Sequence, residues 1–140
     1  MKPPAGYSGT PLVRKLGIKA GQRVLFVQPP TDFDETLGEL PDGVTMVAAS
    51  ARRIDIALLF VGSLADLKKR FTSLSRKLES NGALWVCWPK KASGMATDLN
   101  ENLIRDHGLD VGLVDVKVCA VDETWSGLKF VIRLIDRVIT

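Results

Sequence analysis

Four short stretches hold the side chains with the means to do chemistry: Gln28–Asp32, Gly62-Ser63, Trp88–Ser93 and Asp122–Ser126. The third is the richest. A tryptophan, a proline, Lys90, Lys91 and Ser93 stand just before a predicted helix, whose free amides would point the same way. Cations beside a helix N-terminus suit a phosphate or a carboxylate. The P-loop pattern G-x-x-x-x-G-K-[ST] is absent, so this is not a P-loop. Trp88 and Trp125 offer flat faces to a planar ligand, although a tryptophan contributes buried area first. Asp122 and Glu123 make a carboxylate pair that could divide acid and base roles. Acids in such a position are also ordinary turn formers. The expected ligand-binding set is therefore Gln28, Asp32, Ser63, Trp88, Lys90, Lys91, Ser93, Trp125 and Ser126, with Asp122 and Glu123 as the catalytic candidates.

Other chemistries are short of residues. A single histidine, His107, leaves no zinc set and no histidine-centred triad. It falls in the predicted last turn of a helix, where the dipole would favour its cationic form. Cys87 and Cys119 lie in apolar runs with no C-x-x-C pair and no adjacent cation, and read as small strand-filling hydrophobes. Two cysteines are no disulfide framework, which points to a reduced, cytoplasmic protein. No apolar run approaches a membrane span, and Met1-Lys2-Pro3-Pro4 opens no signal peptide. With 140 residues, 46% hydrophobic and 25% charged, the chain is expected to form one globular domain over 1–140.

The net charge of +3 is mild, but it is unevenly distributed. Residues 1–30 carry cations only, 31–42 acids only, 52–91 mostly cations and 92–123 mostly acids. Such blocks are usually solvated faces of different elements. Lys68, Lys69, Arg70, Arg76 and Lys77 make one helix face basic. Without interleaved aromatics that face suits an acidic partner better than a nucleic acid.

The elements that must position these residues follow from spacing. Thr10 is expected to cap a helix with Pro11 first, carrying Leu12, Val13 and Leu16 inward and stopped by Gly17. Residues 23–28 read as a buried strand, ended by Pro29-Pro30. Thr31 then caps a short acidic helix with Phe33, Leu37 and Leu40 inward. Weak strand character at Val44–Ala48 precedes a strong strand at Ile54–Val61. Ser63 caps a helix with Leu64, Leu67, Phe71, Leu74 and Leu78 on one face, and Asp66 completes a capping-box pair. Asn81-Gly82 is expected to end that helix and start a central strand over Ala83–Trp88. Asp98 or Thr97 caps a helix carrying Leu99, Leu103 and Ile104, closed by Gly108. Val114, Val116, Val118 and Ala120 then alternate with Asp115 and Lys117, and Leu128, Phe130, Ile132 and Leu134 with Lys129 and Arg133. Two alternating runs with a polar turn are a hairpin. Its outer face is expected to hold ion pairs among Asp115, Lys117, Lys129 and Arg133, and its edge offers a route to a homodimer.

In that order, the elements resemble the Rossmann-like fold of class I S-adenosylmethionine-dependent methyltransferases. Gly17–Val27 is similar to that family's lead-in and first strand, Ser80–Val86 to its fifth strand, and the hairpin to its sixth and seventh. The resemblance implies a three-layer α/β domain with a mostly parallel sheet and a C-terminal antiparallel hairpin. It also implies a glycine-rich turn after the first strand, where backbone approaches the cofactor. Here that turn is Gln28-Pro29-Pro30-Thr31-Asp32-Phe33, and the acid expected after the second strand is replaced by Ala48-Ala49-Ser50. More narrowly, Trp88–Lys91, Gly112–Val118 and Trp125–Phe130 resemble a family of small bacterial proteins carrying a domain of unknown function. The reading from sequence is a methyltransferase-like domain without the cofactor turn, serving as a non-catalytic small-anion-binding or protein-interaction module with no cofactor and no metal. The alternative is a divergent S-adenosylmethionine-dependent methyltransferase or other small transferase.

Overall fold

The computed structural model describes residues 10–137. Strands β1 (Arg23–Val27), β2 (Thr45–Met46), β3 (Ile54–Phe60), β4 (Leu78–Pro89), β5 (Leu113–Ala120) and β6 (Trp125–Ile132) form one sheet in the order β2-β1-β3-β4-β6-β5. β6 alone runs against the rest, inserted between β4 and β5. Helices α1 (Leu12–Leu16) and α2 (Phe33–Leu37) cover one face; α3 (Leu64–Ser75) and α4 (Glu101–Val111) cover the other. The α/β class expected from sequence, with three layers and one reversed strand near an edge, is the observed one.

β3 and β4 explain the layering. From Ile56 to Phe60 and from Ala83 to Pro89 every residue is buried, so both faces need a cover. Alternate side chains supply two cores. Leu59, Leu84 and Val86 pack with Leu67 and Phe71 of α3 and Ile104 of α4. Leu58, Phe60 and Trp85 pack with Leu12 and Leu16 of α1 and Phe33 of α2. The buried Trp85 indole donates to the Leu16 carbonyl at 2.9 Å, which pins the end of α1 over the sheet's centre.

Several local boundaries differ from the sequence reading. Pro11, not Thr10, is the N-cap of α1, and Asp32, not Thr31, that of α2; neither makes a side-chain cap bond. β2 shrinks to two exposed residues because it pairs only with Arg23 and Val24, at the amino end of β1. That placement also explains the short link to β3: β2 never reaches the far edge, so no long return is needed. α3 ends at Ser75, and the Lys77 carbonyl accepts from the Ile54 amide, drawing Leu78 into β4. Asn81-Gly82 therefore lies inside β4, where the register against β3 shifts. α4 is capped by Asn100, whose side chain accepts from the Leu103 amide, and closed by Gly112.

The hairpin departs furthest. A bulge between Asp115 and Lys117 breaks the alternation, so Val116 and Val118 are 54% and 48% exposed while Leu113 and Cys119 are buried. Leu134 lies beyond the sheet and is 79% exposed. The expected outer-face ion pairs do not form. Asp115 instead takes Arg105 of α4 at 2.8 Å, Arg133 donates to the Gly112 carbonyl, and Lys117 stands directly opposite Lys129. Cys87 and Cys119 both flank Gly127 from opposite strands. Two strand spacings, about 9–10 Å, separate their backbones, too far for a disulfide.

Gly108 sits within α4 rather than ending it, and a Cβ there would collide with the Phe130 ring. Phe130 has no exposed surface and packs edge-on to Phe71, so it has nowhere to go. Gly108→Ala is expected to lower unfolding free energy by about 1–3 kcal/mol through overpacking, measured by urea denaturation. A gain of about 1 kcal/mol, as helix propensity alone would give, would contradict this packing.

Candidate functional site

In an open α/β sheet the ligand crevice lies beyond the carboxyl ends of the strands, where successive connections leave in opposite directions. Here that point is between β1 and β3, since β2 lies to one side of β1 and β3 to the other. Gln28 stands at the mouth. It adopts φ +58°, a left-handed conformation that glycine takes more readily. Its side-chain amide donates to the Phe60 carbonyl at 2.9 Å and to Asp66 Oδ2 at 2.8 Å. One side chain thus straps the end of β1 to the end of β3 and the first turn of α3.

The far wall is equally ordered. Ser63 caps α3 by accepting from the Asp66 amide at 3.1 Å. The reciprocal half of the expected capping box is missing, because the Asp66 carboxylate has turned to Gln28 and to Arg70, whose Nε lies 2.9 Å away. Asp98, expected to cap its own helix, caps α3 instead, accepting from the Leu64 amide at 2.8 Å. Thr97 donates to the Gly62 carbonyl at 2.7 Å. The hydrogen bond from Gln28, above all, holds the Asp66 carboxyl below the usual aspartate range; burial opposes it and Arg70 assists.

The loop after β4 is a second, separately braced unit. Lys90 donates through Nζ to the Asp122 carbonyl at 2.6 Å and through its amide to the Thr124 carbonyl at 2.7 Å. Ser93 Oγ donates to the Lys90 carbonyl at 2.7 Å and accepts from the Met95 amide. Asp122 Oδ1 accepts from the amides of Thr124 and Trp125, both at 2.8 Å, the bonding of a turn-forming aspartate. Lys91 is exposed, Asp32 is exposed at the start of α2, and Ser126 pairs with Trp88 in the sheet ladder. Trp88 is buried in the core on the α3 side; Trp125 is half-buried, edge-on to Phe60 with ring centroids 5.2 Å apart. Gln28 and Ser63 are thus brought to one crevice, and Trp88, Lys90, Ser93, Asp122, Trp125 and Ser126 to a neighbouring corner.

A row of rings lies under this edge. Phe26, Phe33, Phe60 and Trp125 succeed one another in edge-on contacts of 5.0 to 5.2 Å. Phe26, Phe60 and Trp125 come from three strands and Phe33 from α2, so no spacing along the chain could reveal the row. His107 lies one turn before the end of α4 and belongs to the opposite core's rim, edge-on to Phe71 at 5.3 Å. Burial and then Lys68 push its pKa down, with Asp110 opposing, which runs against the cationic character expected from the helix dipole. Burial likewise pushes the thiols of Cys87 and Cys119 up. No group of three potential metal ligands occurs among the described residues, and none of their helices is long and apolar enough to cross a membrane.

The architecture has clear counterparts among solved structures. A TehB-like SAM-dependent methyltransferase from Corynebacterium glutamicum superposes with a TM-score of 0.56 at 10% identity, covering 87% of this chain and 85% of that one. A SAM-dependent methyltransferase from Aquifex aeolicus gives 0.52 at 16% identity, covering 87% and 88%. Magnesium protoporphyrin IX methyltransferase from Synechocystis, with bound SAM, gives 0.53 at 13%, covering 87% and 74%. The fold is that of the SAM-dependent methyltransferases. No family profile matches the chain, and no curated protein matches it.

The crevice of this chain departs from the cofactor turn that the family resemblance implies. Pro29-Pro30 withdraw amide donors from the turn after β1, Gln28 straps the opening, and β2 stops at the amino end of β1, which leaves Ala48-Ala49-Ser50 away from the carboxyl edge. The strap is nonetheless weak. Two partly exposed hydrogen bonds contribute about 1–3 kcal/mol together, and the left-handed conformation takes back about 1–2.

A group whose folded pKa is depressed contributes stability above its unfolded pKa and loses it as pH falls through the folded value. For Asp66 that loss lies below the ordinary aspartate pKa of 3.8. Gln28→Gly is expected to move the Asp66 titration upward toward 3.8, so that this carboxyl's acid-labile contribution to stability shrinks. Carboxyl NMR of Asp66 reads this directly, and an unmoved titration would show that Gln28 does not hold the carboxylate.

Proposed function

We propose that this chain is a small-molecule-binding domain on the methyltransferase fold, its site being the crevice between β1 and β3, entered when Gln28 releases Asp66. The observation that carries the reading is the strap itself: one left-handed glutamine spanning the point where such folds bind their ligands. A contact that returns little net stability is one that a ligand can displace. S-adenosylmethionine is the first ligand to test, because the fold's solved neighbours are SAM-dependent methyltransferases and one holds bound SAM. On this reading the chain is a divergent methyltransferase. Glu123, and the Asp122 carboxylate oxygen not engaged by the turn amides, are its candidate bases.

A second reading is favoured by the misfit of the turn and of β2. There the crevice stays shut and the domain is a non-catalytic module, with Lys91 as the cation beside Lys90 and Ser93 that would meet a small anion.

Calorimetric titration with S-adenosylmethionine separates the two. The first reading expects measurable binding to the wild type, tightened about tenfold or more in Gln28→Gly, the equivalent of removing about 1.4 kcal/mol of closure. It also expects a higher melting temperature in the ligand's presence. No heat and no thermal shift with either protein would overturn it in favour of the second.

A further inference from the structure

The carboxyl half of β1 has an uncovered edge. β2 pairs only with Arg23 and Val24, and the last bond on that side runs from the Val47 amide to the Val24 carbonyl at 2.9 Å. Along a parallel strand, successive residues turn their main-chain groups to alternate neighbours. The Gln22 and Val24 carbonyls accept from the β2 side, at Thr45 and Val47, whereas the Arg23 amide donates to Asp55 Oδ2 of β3. Even positions of β1 therefore face β2 and odd positions face β3. Phe26 is the next even position, and β2 has ended before reaching it. Its N–H and C=O find no partner among the described residues on that side. Met46, Ala48, Ala49 and Ser50 are exposed and Phe26 is half-buried, so this stretch of edge meets solvent.

The surroundings of this edge are apolar close in and acidic further out. The Phe26 ring belongs to the core on the α2 side and meets Phe33 edge-on at 5.1 Å. Val27 and Val47 pack against the core on the α3 side. Because Phe33 touches Phe26, its chain neighbours Asp32 and Asp34 stand close to the same edge, followed by Glu35. All three are exposed, and no ion pair among the described residues includes them. The connection from β1 to β2 over 31–42 adds Glu39 and Asp42 and holds no cation, although Glu39 shares a groove with Arg14 and Lys19. The sheet's other border is built differently. β5 carries a bulge and the exposed Lys117, two devices that keep an edge from pairing with another chain. The open stretch of β1 has neither.

We propose that the β1 edge at Phe26 docks an extended basic peptide segment, added as a parallel strand in line with β2. Strand addition of this kind takes its affinity from main-chain bonds and its specificity from alternate side chains. The residue set opposite Phe26 has a neighbour on each side; one accepts from the Phe26 N–H and the other donates to its C=O. That middle residue shares the α2 side with the Phe26 ring, and its two neighbours share the α3 side with Val27, so all three are apolar. Positions two away from the middle return to the α2 side, where lysine or arginine meets Asp32, Asp34 and Glu35. The edge lies on the opposite flank of β1 from the β1/β3 crevice and stands whether or not that crevice binds SAM.

The test uses the whole chain and three capped peptides: Lys-Val-Val-Val-Lys, Glu-Val-Val-Val-Glu, and the lysine peptide methylated on its valine nitrogens. In the free protein the Phe26 amide is expected to exchange with deuterated water about tenfold or more faster than the Leu25 and Val27 amides, which face β3. The lysine peptide should bind by calorimetry and slow Phe26 exchange toward that of its neighbours. Methylation removes the peptide's donors and should abolish binding, and the glutamate peptide should not bind. Asp34→Asn combined with Glu35→Gln should weaken the lysine peptide about tenfold. Asp106→Asn, which removes an acid from α4, should leave it unchanged. Equal exchange at Leu25, Phe26 and Val27 in the free protein would overturn the open edge. No binding of the lysine peptide, binding that survives methylation, or binding that leaves Phe26 exchange as it was would overturn strand addition. Protection of Phe26 that grows with protein concentration alone would assign the edge to a second copy of this chain instead.

Discussion

Burial of β3 and β4 on both faces is the constraint on which the rest of this molecule depends. Two neighbouring strands without a polar side chain in their central residues cannot meet water on either side, so helices must cover both. The chain obtains those covers economically. α1 is only one and a half turns long, yet the Trp85 indole holds its last carbonyl over the sheet's centre. α4 comes close enough to pack only because Gly108 presents no side chain to Phe130. The carboxyl edge inherits its shape from this packing: the strand ends are fixed, and only loops are free to vary.

Those loops have been braced internally. Gln28, Asp66, Ser63, Thr97 and Asp98 satisfy one another around the ends of β1 and β3, while Lys90, Ser93 and Asp122 do the same around the end of β4. In a methyltransferase-like fold such positions face the ligand. Here they face each other, through short bonds at a partly exposed surface, where each bond contributes little net stability. A crevice closed by weak contacts and one strained residue differs physically from a crevice filled by core. The first opens to a ligand with modest affinity; the second does not.

The long apolar strands, the capped helix at Ser63 and the final hairpin were legible because each rests on local periodicity. Local signals misled where a tertiary contact outweighed them. Gly108 reads as a helix stop until Phe130 is set against it, and Asp98 reads as a cap for its own helix until the Leu64 amide takes it. The alternation at Val114–Val118 gave no sign of the bulge that turns Val116 and Val118 outward. The site was legible in outline, since strand order predicts which loops converge. Its chemistry was not: the strap from Gln28 to Asp66 spans 38 residues.

The proposed route for ligand lies between β1 and β3, by displacement of Gln28. The most direct test is two-dimensional amide NMR of the wild-type protein as S-adenosylmethionine is added, following the Gln28 side-chain amide and the backbone amides of Gly62, Ser63 and Leu64. These signals are expected to move together, with the Gln28 side-chain amide losing the shift imposed by Asp66, while the Lys90–Ser93 loop stays still. Signals that remain fixed throughout, or that move only in the Lys90–Ser93 loop, would contradict it.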